Sequence, residues 1–207
     1  MMRRGGRRIM PPSDPLFSDR DSFEDEAFAD LDLSAADLSD KEFLRCTFTG
    51  VQLPDANLRG ARLDDCLFSG CELSRVRAAD LAVRGVAFLR CRLLGVDLTQ
   101  VRPTPSLFFE DCNLQYATFG AANLTGTVFR GCRLLEVNFF ETRLVDADFS
   151  GSDLTGSRFE GCDLRGANFS AARGVYIDPS RNQAAGARID IAAAVAIATA
   201  FGFKIEG

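Results

Sequence analysis

The chain has 207 residues, 46% hydrophobic, 26% charged and 10% aromatic, the profile of one ordinary soluble domain with a sizeable core. No apolar stretch reaches the roughly 18 residues of a membrane span, and histidine is absent, which removes the usual general base and the commonest metal ligand. A net charge of −5 argues against nucleic acid as a direct ligand, because a phosphate backbone wants a basic face.

Residues 1–20 (MMRRGGRRIMPPSDPLFSDR) carry Gly, Pro and Arg without periodicity and read as a disordered, Arg- and Pro-rich tail. This opening lacks the apolar run of a secretory signal, so a cytoplasmic setting is expected. From Asp21 a period of five begins faintly with Phe23 and Phe28, while Asp21, Glu26 and Lys41 hold positions that should point inward. A charged inward position is costly, so 21–35 is expected to be a loose N-terminal cap.

From Leu33 to Leu98 every fifth residue is Leu or Phe at twelve of fourteen places, and from Phe109 to Phe169 at all thirteen. Two residues before most of these centres (position i) stands a small side chain, such as Ala36, Cys46, Ala56, Cys112 or Ala147. The residue between them, i−1, is often Asp or Asn. A period of five is neither an amphipathic helix nor a half-buried strand. Small-x-large at that period describes a chain turning one corner per repeat, with i and i−2 facing the axis. Four corners close a coil of about twenty residues, and coils stack at ~4.8 Å.

Positions twenty apart then stack. Phe109, Phe129, Phe149 and Phe169 form one expected core column, and Leu114, Leu134 and Leu154 another. Cys71, Cys91, Cys112 and Cys132 form a column at i−2. A linear column cannot surround one metal ion, so these thiols read as small buried hydrophobes and no metal or cofactor is expected. An odd count of seven and a reducing compartment argue against disulfides.

The series shifts by one residue within 99–108, where Pro103 and Pro105 favour an extended bulge. Just before it Ala78 replaces a large centre while Val76, Leu81 and Val86 replace small ones, an exchange of volume that cores tolerate. The β-helix is expected over 21–189. Over 190–207, Asp190 caps a helix from Ile191 to Phe201 that Gly202 ends, followed by a short strand, Phe203–Ile205. This end is apolar all round, so Ile191, Val195, Phe201, Phe203 and Ile205 are the expected surface of a homodimer.

Between Phe23 and Phe169 there are 23 Asp and Glu against 15 Lys and Arg, an acidic rod interrupted by Arg75, Arg77, Arg84, Arg90 and Arg92. The partner-binding candidates are Asp146, Asp148, Asp153, Glu160 and Asp163, with Leu135, Phe140 and Val145 as an outward apolar patch on one coil.

The A-(D/N)-L-x-x pattern of ADLSD, ANLRG, CNLQY, ANLTG, CDLRG and ANFSA resembles the pentapeptide-repeat family. That resemblance implies an all-β, right-handed quadrilateral β-helix. Total length, cysteines at i−2 and the C-terminal helix followed by FGFKI resemble the quinolone-resistance (Qnr-type) branch. That branch implies a twofold dimer through the C-terminal segment and a DNA-mimicking acidic rod that binds type II topoisomerase, chiefly DNA gyrase, and protects it from poisons. The alternative is a scaffold for an unrelated partner, and neither reading is enzymatic.

Overall fold

The computed structural model describes residues 8–9, 17, 19–102 and 105–205. Alternate residues of each short extended segment turn i−2 and i to the axis, and residue i+2 turns the corner in the left-handed region. Asp25 (φ 55°), Arg45 (51°), Gly60 (68°) and Tyr116 (63°) are examples. The Asp or Asn at i−1 holds that corner by accepting the backbone N–H two residues on. Asp37 accepts from Ser39 at 3.1 Å, and Asn123 from Thr125 at 3.2 Å.

The result is a right-handed four-sided β-helix of about seven coils whose strands pair in parallel. The first face is a four-stranded sheet from Ser22–Glu24 to Ala82–Arg84. The second is a six-stranded sheet from Ala27–Ala29 to Val128–Arg130. The third is built of single bridges, such as Gln52 with Glu72 and Arg133 with Asp153. The fourth carries a three-stranded sheet, Thr118–Gly120, Asn138–Phe140 and Arg158–Glu160.

The core is one continuous cluster. On the second face Phe109, Phe129, Phe149 and Phe169 stack at 5.2, 4.9 and 4.9 Å between ring centroids. The column continues downward through Phe88, Phe68 and Phe48 to Phe28, at 5.1, 5.0, 4.4 and 4.9 Å. Phe119, Phe139 and Phe159 stack on the fourth face and meet the first column edge to face. Leu114, Leu134 and Leu154 are fully buried on the third face.

Residues 21–35 depart from the loose cap expected of them. Ser22–Glu24 pairs with Glu42–Leu44 and Ala27–Ala29 with Thr47–Thr49, and Phe23, Phe28 and Leu33 are buried. The charges at i−2 are accommodated because this coil lies at the open end. Asp21 stays in solvent and receives the ammonium of buried Lys41 at 2.9 Å, while Glu26 pairs with Arg20. The tail also contributes order. Arg8–Ile9 pairs with Leu31–Asp32, and buried Phe17 sets its ring against Phe23 and Phe28 at 5.2 and 5.6 Å, closing the end of the Phe column. Residues 1–7, 10–16 and 18 of the expected disordered tail, and Pro103, fall outside the described residues.

The slip is absorbed between Ser106 and the preceding coil, so that Phe88 pairs with Phe109 and Arg92 with Asn113, each 21 positions on. The exchange of volume there is incomplete. An apolar cavity of about 30 Å³ remains, lined among others by Val76, Leu81, Val83 and Leu107. Val83 sits over Leu63, so Val83→Leu should fill the void and add about 1 kcal/mol, the value of one buried methylene. A higher denaturant midpoint at unchanged slope is the expected reading; a lower midpoint means the site is already too tight.

At the other end the helix spans Ile191–Ala200, its N-cap Asp190 accepting the Ala193 N–H at 2.8 Å. It ends in a Schellman motif. Gly202 is left-handed at φ 84°, its N–H reaches the Thr199 carbonyl, and that of Phe203 reaches Ala198. Phe203–Ile205 forms no strand or bridge, correcting the expected strand.

Candidate interaction surfaces

Among the described residues no cluster of Cys, Asp and Glu is placed to hold a metal, and no helix is long and apolar enough to cross a membrane. What the rod offers is surface, and its charge is arranged by the same twenty-residue stacking that builds the core. Seven of the thirteen ion pairs among the described residues join an acid to the base exactly one coil later, as in Asp25–Arg45, Asp55–Arg75, Asp64–Arg84, Glu72–Arg92 and Asp153–Arg173.

This changes both charged features read from the sequence. Arg75, Arg84 and Arg92 of the basic middle each face a carboxylate from the coil below, and Arg90 bonds to the Ser69 hydroxyl at 3.2 Å. Four of the five acidic candidates are likewise engaged. Asp148 pairs with Arg130 (3.0 Å), Asp153 with Arg173 (3.2 Å), Glu160 with Arg181 (3.0 Å) and Asp163 with Arg165 (2.7 Å). The Arg165 guanidinium holds the Asp163 carboxyl below the usual carboxylate range. Asp146 sits at a corner with its carboxylate beside Gly166. Ion pairs thus compensate part of the charge of a segment that still carries 23 acids against 15 bases.

The expected apolar patch is also divided. Leu135, Phe140 and Val145 follow one another around a single coil, so the square section turns them to the third, fourth and first faces in three directions. Phe140 folds its ring over the preceding coil's Gly120, where an added Cβ would lie 2.1 Å from the ring. Gly120 is therefore a cradle for that ring.

The C-terminal end is different. The helix buries Ala193 and partly Ile197, while Ile191 (83% exposed), Val195, Phe201, Phe203 (66%) and Ile205 (53%) face outward together with Ile189 and Tyr176. Large apolar side chains at such exposure set this end apart from the rest of the surface.

The cysteines hold no surface role, but they are more than small hydrophobes. Ala36, Ala56 and Ala117 close their corners by donating N–H to the carbonyl three residues back, at 3.0–3.1 Å. None of the seven cysteines sits at a corner closed this way. At Cys71, Cys91, Cys132 and Cys162 the next coil supplies the acceptor of that N–H instead. Cys71 N–H donates to Cys91 Sγ and Cys91 N–H to Cys112 Sγ, both at 3.4 Å, and Cys132 N–H donates to Ser152 Oγ at 2.9 Å. Each thiol in turn donates to a carbonyl, as Cys91 does to Phe68 and Cys112 to Phe88. The thiol column is a relay that satisfies buried backbone groups. All seven are free thiols.

Sequence reasoning applied the twenty-residue interval inward and missed its outward consequences. The same interval predicts the Asp–Arg pairs. It also exposes one column at i−1 that is apolar where its counterparts are polar: Leu67, Ala87, Phe108 and Val128 on the second face.

The sequence profile described as "Pentapeptide repeat region" matches residues 21–98 and 106–173, with the register slip falling in the gap. No curated protein matches the chain in sequence. Among solved structures, trypsin-treated QnrB1, a plasmid-mediated fluoroquinolone resistance protein, is similar at 22% identity over 89% of this chain and 90% of its own, with a TM-score of 0.61. Full-length QnrB1 is 25% identical over 88% and 90%, with a TM-score of 0.49. HetL, a pentapeptide repeat protein of the cyanobacterium Nostoc involved in heterocyst differentiation regulation, is 18% identical over 80% and 81%, with a TM-score of 0.31.

Proposed function

The chain belongs to the pentapeptide-repeat family, and on that premise we propose that it is a non-enzymatic, cytoplasmic binding scaffold, dimeric through its C-terminal end. The observation that carries this reading is the apolar C-terminal surface at the end of the rod, with Ile191, Phe203 and Ile205 more than half exposed. A second copy related by a twofold axis covers such a surface with itself. Free thiols throughout fit a reducing compartment.

The partner to test first is a type II topoisomerase. What supports it is the resemblance to the Qnr-type branch and the likeness in fold to QnrB1 along nearly the whole length of both chains. The excess of 23 acids over 15 bases between Phe23 and Phe169 supports a rod that mimics DNA in the topoisomerase groove, and the short-range pairs add recognition by shape and by individual groups.

Two measurements separate these layers. Light scattering should give twice the 22.5 kDa of one chain, and Phe203→Asp with Ile205→Asp should return the single-chain mass. Gyrase supercoiling in the presence of a quinolone should recover as the dimer is added. No recovery over a wide range of protein concentration removes the topoisomerase partner and leaves the scaffold standing. A single-chain mass for the unaltered protein removes the dimer.

A further inference from the structure

On the other three faces the outward i−1 positions are mostly polar: Glu42 and Arg62, then Gln52, Glu72 and Arg92, then Asp37, Asn57 and Arg77. On the second face Leu67 pairs with Ala87, Ala87 with Phe108 and Phe108 with Val128, one rung per coil. Leu89 lies beside this stripe on the strand Val86–Leu89. All five side chains are half-buried and turned away from the core, because the strands alternate inward and outward.

We infer that this stripe is a docking site for an amphipathic helix of a partner protein, lying along the rod axis with cationic side chains beside Glu110 and Asp111. Rungs ~4.8 Å apart nearly match the 5.4 Å pitch of an α-helix. Apolar residues three and four apart on such a helix therefore meet successive rungs. Ala87, between Leu67 and Phe108, leaves a notch that a branched side chain fills.

The charge at the borders sets the sign of the occupant. Asp65 on one corner, and Glu110 and Asp111 on the other, enter no ion pair among the described residues, whereas nearby Arg130 is held by Asp148. Arg90, the remaining cation at this border, is bonded to Ser69. The stripe also bridges the slip at Ala87 and Phe108, so an occupant clasps the two halves of the rod. The inference rests on the scaffold reading only in taking a protein as occupant, and it is independent of dimerisation and of the topoisomerase.

The probe is a labelled synthetic helical peptide about four turns long, with leucines three and four apart and lysines flanking them, titrated with the full chain by fluorescence anisotropy. The chain should bind it, and should bind the same peptide carrying glutamate for lysine at least about tenfold more weakly. Leu67→Thr with Phe108→Thr should weaken binding by a similar factor. Thr47 already stands in that column, so an unchanged thermal melt is expected of the double variant. Phe203→Asp should leave binding intact. Equal binding by the double variant or by the glutamate peptide overturns the site. A fall in the chain's mass on Phe108→Thr also overturns it, since a second copy then occupies the stripe.

Discussion

Phe129→Ala is expected to cost the folded state about 4 kcal/mol, read as a fall in the urea midpoint. Phe129 is fully buried, stacked between Phe109 at 5.2 Å and Phe149 at 4.9 Å, and met edge on by Phe119 and Phe139 at 5.5 and 5.9 Å. Removing the ring forfeits its transfer energy and four aromatic contacts, each worth about 0.5–1.5 kcal/mol in isolation. The cavity cannot collapse, because the coils on either side are held apart by their own backbone hydrogen bonds, such as Phe129 N–H to the Asp148 carbonyl. Phe140→Ala removes an equal volume from the outer surface and should cost about 1 kcal/mol or less. If the two substitutions destabilise equally, the Phe column is not what holds the coils in register.

That column shows how far the sequence could be read. Its period, its inward phase and its step of twenty are all present in the residues, and even the passage across the slip from Phe88 to Phe109 follows from the shift of one. The helix was equally legible, because Asp190 and Gly202 mark its ends with local chemistry. The tail was not. Phe17 has no periodic neighbours to announce it, and its burial depends on an end of the Phe column that exists only once the coils are stacked. Surface charge was readable in sign but not in arrangement, because a count along the chain cannot show that Arg75 faces Asp55 or Arg92 faces Glu72. Leu135, Phe140 and Val145 looked adjacent for a similar reason: neighbours in a repeat of five occupy different walls of a square.

The thiol relay leads to the second large effect, at high pH. Burial pushes the Cys66 thiol up to about 11. Contact with the next cysteine of the column, followed by burial, pushes Cys91 and Cys112 up to about 12. An unfolded chain releases these protons near the ordinary value of about 9. Above pH 9 the unfolded state therefore binds fewer protons than the folded one, and stability falls as pH rises. The contribution is complete below about 9 and is lost through 11 to 12. At about 1.4 kcal/mol for each pKa unit, Cys66 alone withdraws roughly 3 kcal/mol over that window. Denaturant midpoints should hold up to pH 9 and then drop steeply. Cys66→Ser should shift the drop upward, because a hydroxyl has no such titration and can keep the relay's hydrogen bonds as Ser152 does in the neighbouring column. The same burial predicts that a thiol reagent at pH 8 labels none of the seven cysteines quickly in the folded chain and all of them once it is unfolded. Rapid native labelling of Cys91 or Cys112, or an alkaline profile that Cys66→Ser leaves unmoved, would mean that these thiols are open to solvent and that the inward N–H groups find their acceptors elsewhere.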